Sequence, residues 1–239
     1  MKRQLLLLSC LLLWACTATA QTFTEIGNKY PVSADGNKRV VSGFIPFSRL
    51  SDEKIFANAL LWTIENVCPK LREGITAVNV DAKSFACNLV LTSGEPGEKP
   101  GSIYYARATF RVADGKLIYY LSDISIESSV FMLKKVTPLE KLSPEKKTSH
   151  RETVDAFVQT ESEMLNKLFD YVATHKLAPI THWSDINIRR AVTGMNEDEC
   201  RLAFGKPQSV LETNGETQWM YSSSFYLFFK NGIVQTVIK

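Results

Sequence analysis

The stretch IYYARATFRVADGKLIYYLSDISI, residues 103–126, decides the fold of the larger part of this chain. Polar and apolar side chains alternate along both of its halves, a pattern typical of β-strands that bury one face. Between the halves, Asp114-Gly115 favours a type I′ turn, because both central residues of that turn take positive φ. The stretch therefore predicts a long antiparallel hairpin in which Ile103 to Ala113 pairs with Lys116 to Ile126.

The segments on either side of this hairpin predict three more strands and two helices. Each predicted helix carries one apolar stripe, and Ser51 is placed to cap the first helix. In chain order, the segments are a strand from Arg39 to Phe47, a helix from Asp52 that Pro69 ends, strands from Ile75 to Asp81 and from Ser84 to Thr92, and a helix from Arg151 to His175.

Two further segments are predicted as connections without regular structure. One is the glycine- and proline-rich loop from Ser93 to Gly101, and the other is the lysine-rich segment through Pro138 and Pro144. The remaining order of strand, helix, four strands, helix predicts an α+β fold. Each helix has one apolar stripe to bury, so both helices are expected to cover the same face of a five-stranded antiparallel sheet.

The last part of the chain predicts a second, smaller unit. Asn196 and Glu199 form a capping-box pattern, so a short helix should begin between them. Gly205 can take the left-handed conformation that closes such a helix. The dipeptides Asn214-Gly215 and Asn231-Gly232 favour tight hairpin turns, so the end of the chain is expected to be a four-stranded antiparallel meander.

Short motifs in this second unit resemble those of the SmpA/BamE-type envelope module. The matching motifs are GMNEDE at 194–199, GKP at 205–207, WMY at 219–221 and FKNGIV at 229–234. The resemblance implies a small helix-plus-antiparallel-sheet module, and the best-known members of that family are outer-membrane-assembly lipoproteins that bind partner proteins. It covers about a quarter of the chain, and motifs this short support the fold more than the biology.

The larger unit resembles a different family. Phe47-Ser48-Arg49, Trp62 and the hairpin from Tyr104 to Asp123 are similar to a domain-of-unknown-function family of secreted, Bacteroidetes-type envelope proteins with a TBP-like fold. The element order also resembles half of the TATA-binding-protein-like fold. The resemblance implies a shape and no chemistry, because a fold does not specify a function.

The beginning of the chain has the features of a secretory signal peptide. Lys2 and Arg3 precede the apolar run from Leu5 to Ala15, and Ala18-Thr19-Ala20 is a small-x-small cleavage site. A competing interpretation is a lipobox, Leu13-Trp14-Ala15-Cys16, in which Cys16 would carry a lipid anchor. The first interpretation predicts a periplasmic or secreted protein, and the second predicts an outer-membrane lipoprotein attached to the membrane through Cys16.

These observations divide the chain into five parts. The predicted boundaries are a signal peptide at 1–20, an N-terminal extension at 21–37, the TBP-like domain at 38–176, a connector at 177–193 and the SmpA/BamE-like module at 194–239. The full chain has 28 basic and 25 acidic residues. Loss of residues 1–20 removes Lys2 and Arg3 and no acid, which leaves a mature net charge of +1. A nearly neutral chain predicts no nucleic-acid partner.

Catalytic and metal-binding patterns are absent from the sequence. The three histidines are not spaced as ligands, and no Gly-x-Ser-x-Gly, P-loop or dinucleotide motif occurs. The sequence therefore predicts no catalytic residues, no metal and no cofactor. After cleavage three cysteines remain: Cys68, Cys87 and Cys200. Either Cys68 and Cys87 form a disulfide bridge, or all three are buried thiols.

Because the sequence shows no catalytic or metal site, the remaining functional prediction is binding through the protein surface. The sheet face away from the helices is expected to present Tyr105, Arg111 and Tyr119, and Trp183 and Trp219 are further candidates; alternatively, these rings pack under the C-terminal unit. The first functional hypothesis is a non-catalytic secreted cell-envelope protein that binds an envelope protein partner. The alternative is a periplasmic hydrolase, or a protein that binds a small ligand or glycan, with a site between the two domains.

Overall fold

The computed structural model describes residues 38–239, apart from 69, 94–101, 131–132 and 214. The predicted signal peptide, Cys16, the extension at 21–37 and most of the predicted loop at 93–101 lie outside the described residues. Within the described part, the chain forms an α+β structure from two antiparallel sheets and four α-helices. This confirms the predicted fold class.

Most of the predicted elements are present, with boundaries that differ by a few residues. In chain order they are β1 (Val41–Pro46), α1 (Asp52–Asn66), β2 (Ile75–Asn79), β3 (Ser84–Thr92), β4 (Ile103–Ala113), β5 (Lys116–Val130), β6 (Leu133–Pro138), α2 (Thr148–Thr174), α3 (Trp183–Asn187), α4 (Glu197–Phe204), β7 (Ser209–Thr213), β8 (Glu216–Ser222), β9 (Phe225–Lys230) and β10 (Ile233–Ile238). Short 3₁₀ turns lie at Leu71–Gly74 and Leu139–Lys141.

The larger sheet has six strands, so the prediction of five was wrong. Its order is β1-β5-β4-β3-β2, and β6 pairs with the second half of β5. β6 was predicted as a connection because it contains Lys134 and Lys135 and ends at Pro138. Lysine and proline are tolerated in an edge strand, where one row of backbone groups faces solvent. The β4–β5 turn is as predicted, since Asp114 and Gly115 have φ of 52° and 69°.

Both long helices cover the same face of this sheet, as predicted. Phe56 of α1 packs on Phe85 of β3 with ring centroids 6.2 Å apart, and Phe157 of α2 packs edge-on against Tyr104 of β4 at 5.4 Å. The Tyr104 hydroxyl also donates to the carbonyl oxygen of Thr153, 3.1 Å away. These contacts define an inner face that is buried under the helices and an outer face that points away from them.

Helix α1 differs from the prediction of a single apolar stripe. Ser51 caps it as expected, with Oγ accepting from the amide of Lys54. All ten residues from Ile55 to Ile64 are buried, so the helix is enclosed on every side. The sheet and α2 cover part of its circumference, and α4 of the smaller unit covers the remainder. A helix that is buried on every side belongs to the core.

The smaller unit is the predicted helix and meander. Its sheet has the order β10-β9-β8-β7, and the capping box is present, with Asn196 Oδ1 accepting from the amide of Glu199. Asn231 and Gly232 have φ of 52° and 73°, which fits the predicted hairpin turn. Gly205 closes α4 with φ 81° and ψ −162°, a region open to glycine that differs from the left-handed helical conformation predicted.

The two units share one continuous hydrophobic core. Buried side chains of the larger sheet, α1, α2, α4 and the smaller sheet belong to a single packed cluster, which includes Leu60, Leu165, Leu202 and Phe229. Within the described ranges, none of the helices is both long enough and apolar enough to cross a membrane.

Candidate functional site

The outer face of the larger sheet carries an exposed apolar cluster on two neighbouring strands. Phe44 of β1 lies opposite Ile118 of β5, and Tyr120 of β5 lies two residues further along on the same face. Their exposed fractions are 53%, 40% and 44%. We call these three side chains the outer patch. Successive side chains of a strand point to opposite faces of the sheet. Ile118 and Tyr120 therefore face outward, whereas their neighbours Leu117, Tyr119 and Leu121 point into the core.

Cationic side chains border the outer patch. Arg111 lies opposite Ile118, and the Lys116 ammonium lies 5.0 Å from the centroid of the Phe44 ring, a cation–π distance. Arg107 is on the same face of β4 and pairs with Asp123 at 3.6 Å, which also accepts from Lys38 at 3.1 Å. The rim of the patch is therefore more basic than acidic.

Tyr105 lies on the outer face, as the sequence predicted. Its hydroxyl donates to Glu127 Oε2 at 2.6 Å, and the Lys134 ammonium approaches the other carboxylate oxygen at 2.8 Å. The hydrogen bond to Glu127 raises the pKa of Tyr105, and those from Lys134 and Tyr105 lower the pKa of Glu127. This trio fixes the ring beside β6, away from the outer patch.

Tyr119 and Trp219 are not on the surface, which corrects their assignment to the binding surface. Tyr119 is 1% exposed because it alternates with Ile118 and Tyr120, and its hydroxyl occupies space that Gly43 leaves open. A Cβ at position 43 would lie 2.6 Å from that oxygen. Trp219 is 6% exposed and packs on Phe229, with centroids 4.6 Å apart.

The sequence interpretation missed all three members of the outer patch. Phe44 was treated only as part of an apolar strand, and Ile118 and Tyr120 only as parts of the hairpin. The residue pairing of the hairpin could have revealed their position, because Arg111 was predicted to face outward and it pairs with Ile118. Counting from the Asp114-Gly115 turn would have placed Ile118 and Tyr120 on the outer face and Tyr119 on the inner one.

Trp183 lies in the connector, against the larger unit. Its ring packs against Phe56 of α1 at a centroid distance of 5.4 Å and is partly buried. It lines an open groove of about 420 Å³ together with Ala57, Leu177 and Pro179. A ring in this position connects the connector to the core of the larger unit, and one edge of it remains accessible from the groove.

A buried carboxylate anchors the connector to α4. Glu199 is 1% exposed and accepts hydrogen bonds from the amides of Asn196, Thr181 and His182, and from the hydroxyl of Thr181. Its other contact is with His182 Nδ1, at 2.9 Å. Burial acts to raise the pKa of Glu199, but these hydrogen bonds outweigh it, so the pKa lies below its usual value. The capping residue found in the sequence thus has a second role that its local pattern does not reveal.

A bidentate ion pair joins α4 to α1. Arg201 Nε and Nη2 each lie 2.7 Å from an oxygen of Glu65, and Arg201 also contacts Asp198 at 3.4 Å. The Glu65 side chain is 3% exposed. Paired guanidinium and carboxylate groups with this geometry fix both distance and orientation. The contact therefore holds the two units in one arrangement.

The described residues contain no group of three or more His, Cys, Asp or Glu side chains arranged to hold a metal ion. All three described cysteines are unbridged: Cys87 and Cys200 are buried, and Cys68 is partly buried. The Cys68 thiol lies beside that of Cys87, and its proximity, with burial, raises the pKa of Cys87. Burial also raises the pKa of Cys200 well above its usual value.

Comparisons with known proteins give two similar solved structures. No family model and no curated protein matches the chain. One structure is a TBP-like protein from Parabacteroides distasonis, with 12% identity and a TM-score of 0.45 over 59% of this chain and 96% of the other. The second is a DUF4468 family protein from Bacteroides ovatus, with 14% identity and a TM-score of 0.43 over 63% of this chain and 95% of the other.

One description names a TBP-like protein and the other a family of unknown function. Neither names a ligand, a partner or a reaction. The resemblance of the smaller unit to the SmpA/BamE-type module stays a prediction.

Proposed function

We propose that this protein is a non-catalytic, secreted cell-envelope protein that binds a partner protein through the outer patch. The observation that carries the proposal is the exposure of Phe44, Ile118 and Tyr120 together on adjacent strands of a rigid sheet. Single exposed apolar side chains are ordinary, whereas contiguous ones that include aromatic rings are typical of interfaces.

The rim indicates the chemistry of the partner. Arg111 and Lys116 border the patch, so a partner with an apolar contact surface and acidic groups around it would be complementary. The sheet is held from behind by two helices, so the partner would meet a preformed surface. A preformed surface lowers the entropic cost of association.

Secretion is supported by the N-terminal sequence. Lys2 and Arg3, the apolar run and Ala18-Thr19-Ala20 favour export and cleavage, after which the partner would be an envelope protein. Mass spectrometry of the mature N-terminus tests this step. A free or cyclised Gln21 supports cleavage after Ala20, a lipid on Cys16 supports the anchored alternative, and an intact Met1 would contradict both.

Capture from cross-linked cell envelopes tests the binding proposal. We expect the wild-type protein to retain a defined partner that the double variant Phe44→Asp, Ile118→Asp loses. The matched control is Leu211→Asp, which introduces the same charge at an apolar side chain of β7 that is 59% exposed. Loss of the partner in the control but not in the double variant would assign binding to the smaller unit and contradict the proposal.

The second candidate function is small-ligand binding between the larger unit and the connector. The observation that favours it is a cavity of about 260 Å³ that two arginines line, where β2 meets the end of α3. No comparable feature among the described residues favours the hydrolase alternative.

A further inference from the structure

Arg72 is a buried cation at the junction of the two units. It follows α1 in the 3₁₀ turn Leu71–Gly74, and it is 6% exposed. Its Nε donates to the carbonyl oxygen of Leu202 at 2.9 Å, in the last turn of α4. A cation at that helix end is favourable, because the carbonyl groups there lack partners within the helix. This contact satisfies one of the five guanidinium N–H groups.

The rest of the Arg72 guanidinium has no anionic partner in the described part of the chain. No carboxylate there forms an ion pair with it, and none of its terminal N–H groups donates to a described acceptor. Burial lowers the pKa of Arg72 to about 10, and the nearby charge of Arg189 contributes in the same direction. The terminal nitrogens of Arg72 are not among the described buried side-chain atoms that lack a partner, so they reach the water-accessible cavity that Arg72 lines.

Arg189 adds a second cation at the same place. Its Nη2 donates to the backbone carbonyl oxygen of Arg72 at 3.2 Å, and its own backbone has φ 54°. Both arginines line the cavity of about 260 Å³, as do Thr76 and Asn187, which carry hydrogen-bond donors. Arg189, Thr76 and Asn187 are exposed, so the cavity is open to water, and two cations that face it would attract an anion.

The cavity also borders a free strand edge. β2 pairs only with β3 in the sheet, and its residues Thr76 to Val78 form one wall of the cavity. An edge strand presents backbone N–H groups that a ligand can use. The cavity is smaller than most drug-sized ligand sites, which span roughly 300–1,000 Å³. Its volume and donors therefore fit a small charged group better than a whole metabolite.

We propose that this cavity binds an oxyanion, held by the guanidinium groups of Arg72 and Arg189. Guanidinium forks match the oxygens of carboxylates and phosphates, so the shared chemistry of the ligand is an anionic group with at least two such oxygens. The group belongs either to a phosphate or phosphate ester or to a carboxylate of a larger molecule. The ligand would supply the charge that the buried Arg72 lacks.

Isothermal titration calorimetry on the purified chain tests the site. The titrants are inorganic phosphate and acetate, with sodium chloride at matched ionic strength as the background. We expect saturable binding of at least one oxyanion, weakened about tenfold or more in Arg189→Gln, since one of the two charge-assisted contacts is lost. Phosphate alone would indicate a phosphorylated ligand, acetate alone would indicate a carboxylate, and both would indicate general oxyanion recognition.

Two further variants keep the result interpretable. Arg151→Gln removes an exposed arginine from α2 and should leave the affinity unchanged. Arg72→Lys keeps the buried charge and should weaken binding, because an ammonium cannot form the two-pronged contact. Binding of neither anion, or equal weakening in Arg189→Gln and Arg151→Gln, would overturn the proposal. This result is independent of partner capture, because the outer patch is not involved.

Discussion

At the scale of single residues, Glu161 of α2 has the least favourable environment in the core. Its side chain is 3% exposed and its Oε1 lacks a hydrogen-bond partner within the described structure. Burial raises the pKa of Glu161 to about 7, and the Tyr119 hydroxyl nearby is also unpaired. A carboxyl group with such a pKa is protonated at mildly acidic pH and loses its proton near neutrality.

Glu161 gives the stability of the protein a defined pH dependence. Because its folded pKa of about 7 exceeds the usual 4.5, the folded state binds the proton more tightly than the unfolded state. The stabilisation is fully present below pH 4.5 and is lost as the pH rises through 7. We expect the free energy of unfolding to fall by at most about 3 kcal/mol over this range.

Urea unfolding at pH 5, 6, 7 and 8 measures this effect. In Glu161→Gln the fall in the free energy of unfolding with rising pH should be largely absent, because the amide does not titrate. Glu163→Gln is the matched control, since Glu163 lies on the same helix and its side chain is accessible at the surface, in contact with Gln159. A wild-type profile that Glu161→Gln leaves unchanged would contradict the assignment.

At the scale of elements, the end of α1 is tied closely to β3. The amide of Val90 donates to the carbonyl oxygen of Val67 at 2.8 Å, and the thiols of Cys68 and Cys87 lie near each other. We expect oxidised glutathione to convert these two thiols to a disulfide by exchange, with release of two equivalents of reduced glutathione. The bridge should raise the free energy of unfolding by about 3 kcal/mol through chain entropy.

Intact mass and peptide mapping measure the bridge. The chain should lose two hydrogens, and one peptide pair should contain Cys68 and Cys87, because the partly buried Cys68 can meet the oxidant and then exchange with Cys87 beside it, whereas Cys200 is fully buried in α4. Cys68→Ser should abolish the bridge. Persistence of all three thiols after oxidation, detected by alkylation of the unfolded chain, would contradict this prediction.

Sequence patterns predicted local structure well and long-range placement poorly. The Ser51 cap, the Asn196–Glu199 capping box and the Asp114-Gly115 turn depend on neighbouring residues, so they could be recognised directly. β6 could not, because a lysine-rich edge strand differs little from a loop until its pairing with β5 is known. The burial of Arg72 could not be predicted either, since it depends on α4, which is far away in the sequence.

At the scale of the whole molecule, the two units are expected to fold together. Helix α1 is enclosed by the sheet, α2 and α4, and the Arg201–Glu65 pair and the Arg72–Leu202 hydrogen bond join the units. Removal of residues 177–239 would expose one side of α1 to water. We therefore expect a single calorimetric transition for residues 38–239 and no stable fold for residues 38–176 alone. Two separated transitions would contradict this prediction.

The central claim is that the outer patch is the surface that binds a partner protein. Photo-cross-linking from a benzophenone amino acid tests it most directly, with the probe placed at Tyr120 and, as control, at Tyr226 of β9. We predict one defined adduct from the Tyr120 position, lost when Phe44→Asp is added, and none from Tyr226. No adduct from position 120, or the same adduct from both positions, would contradict the claim.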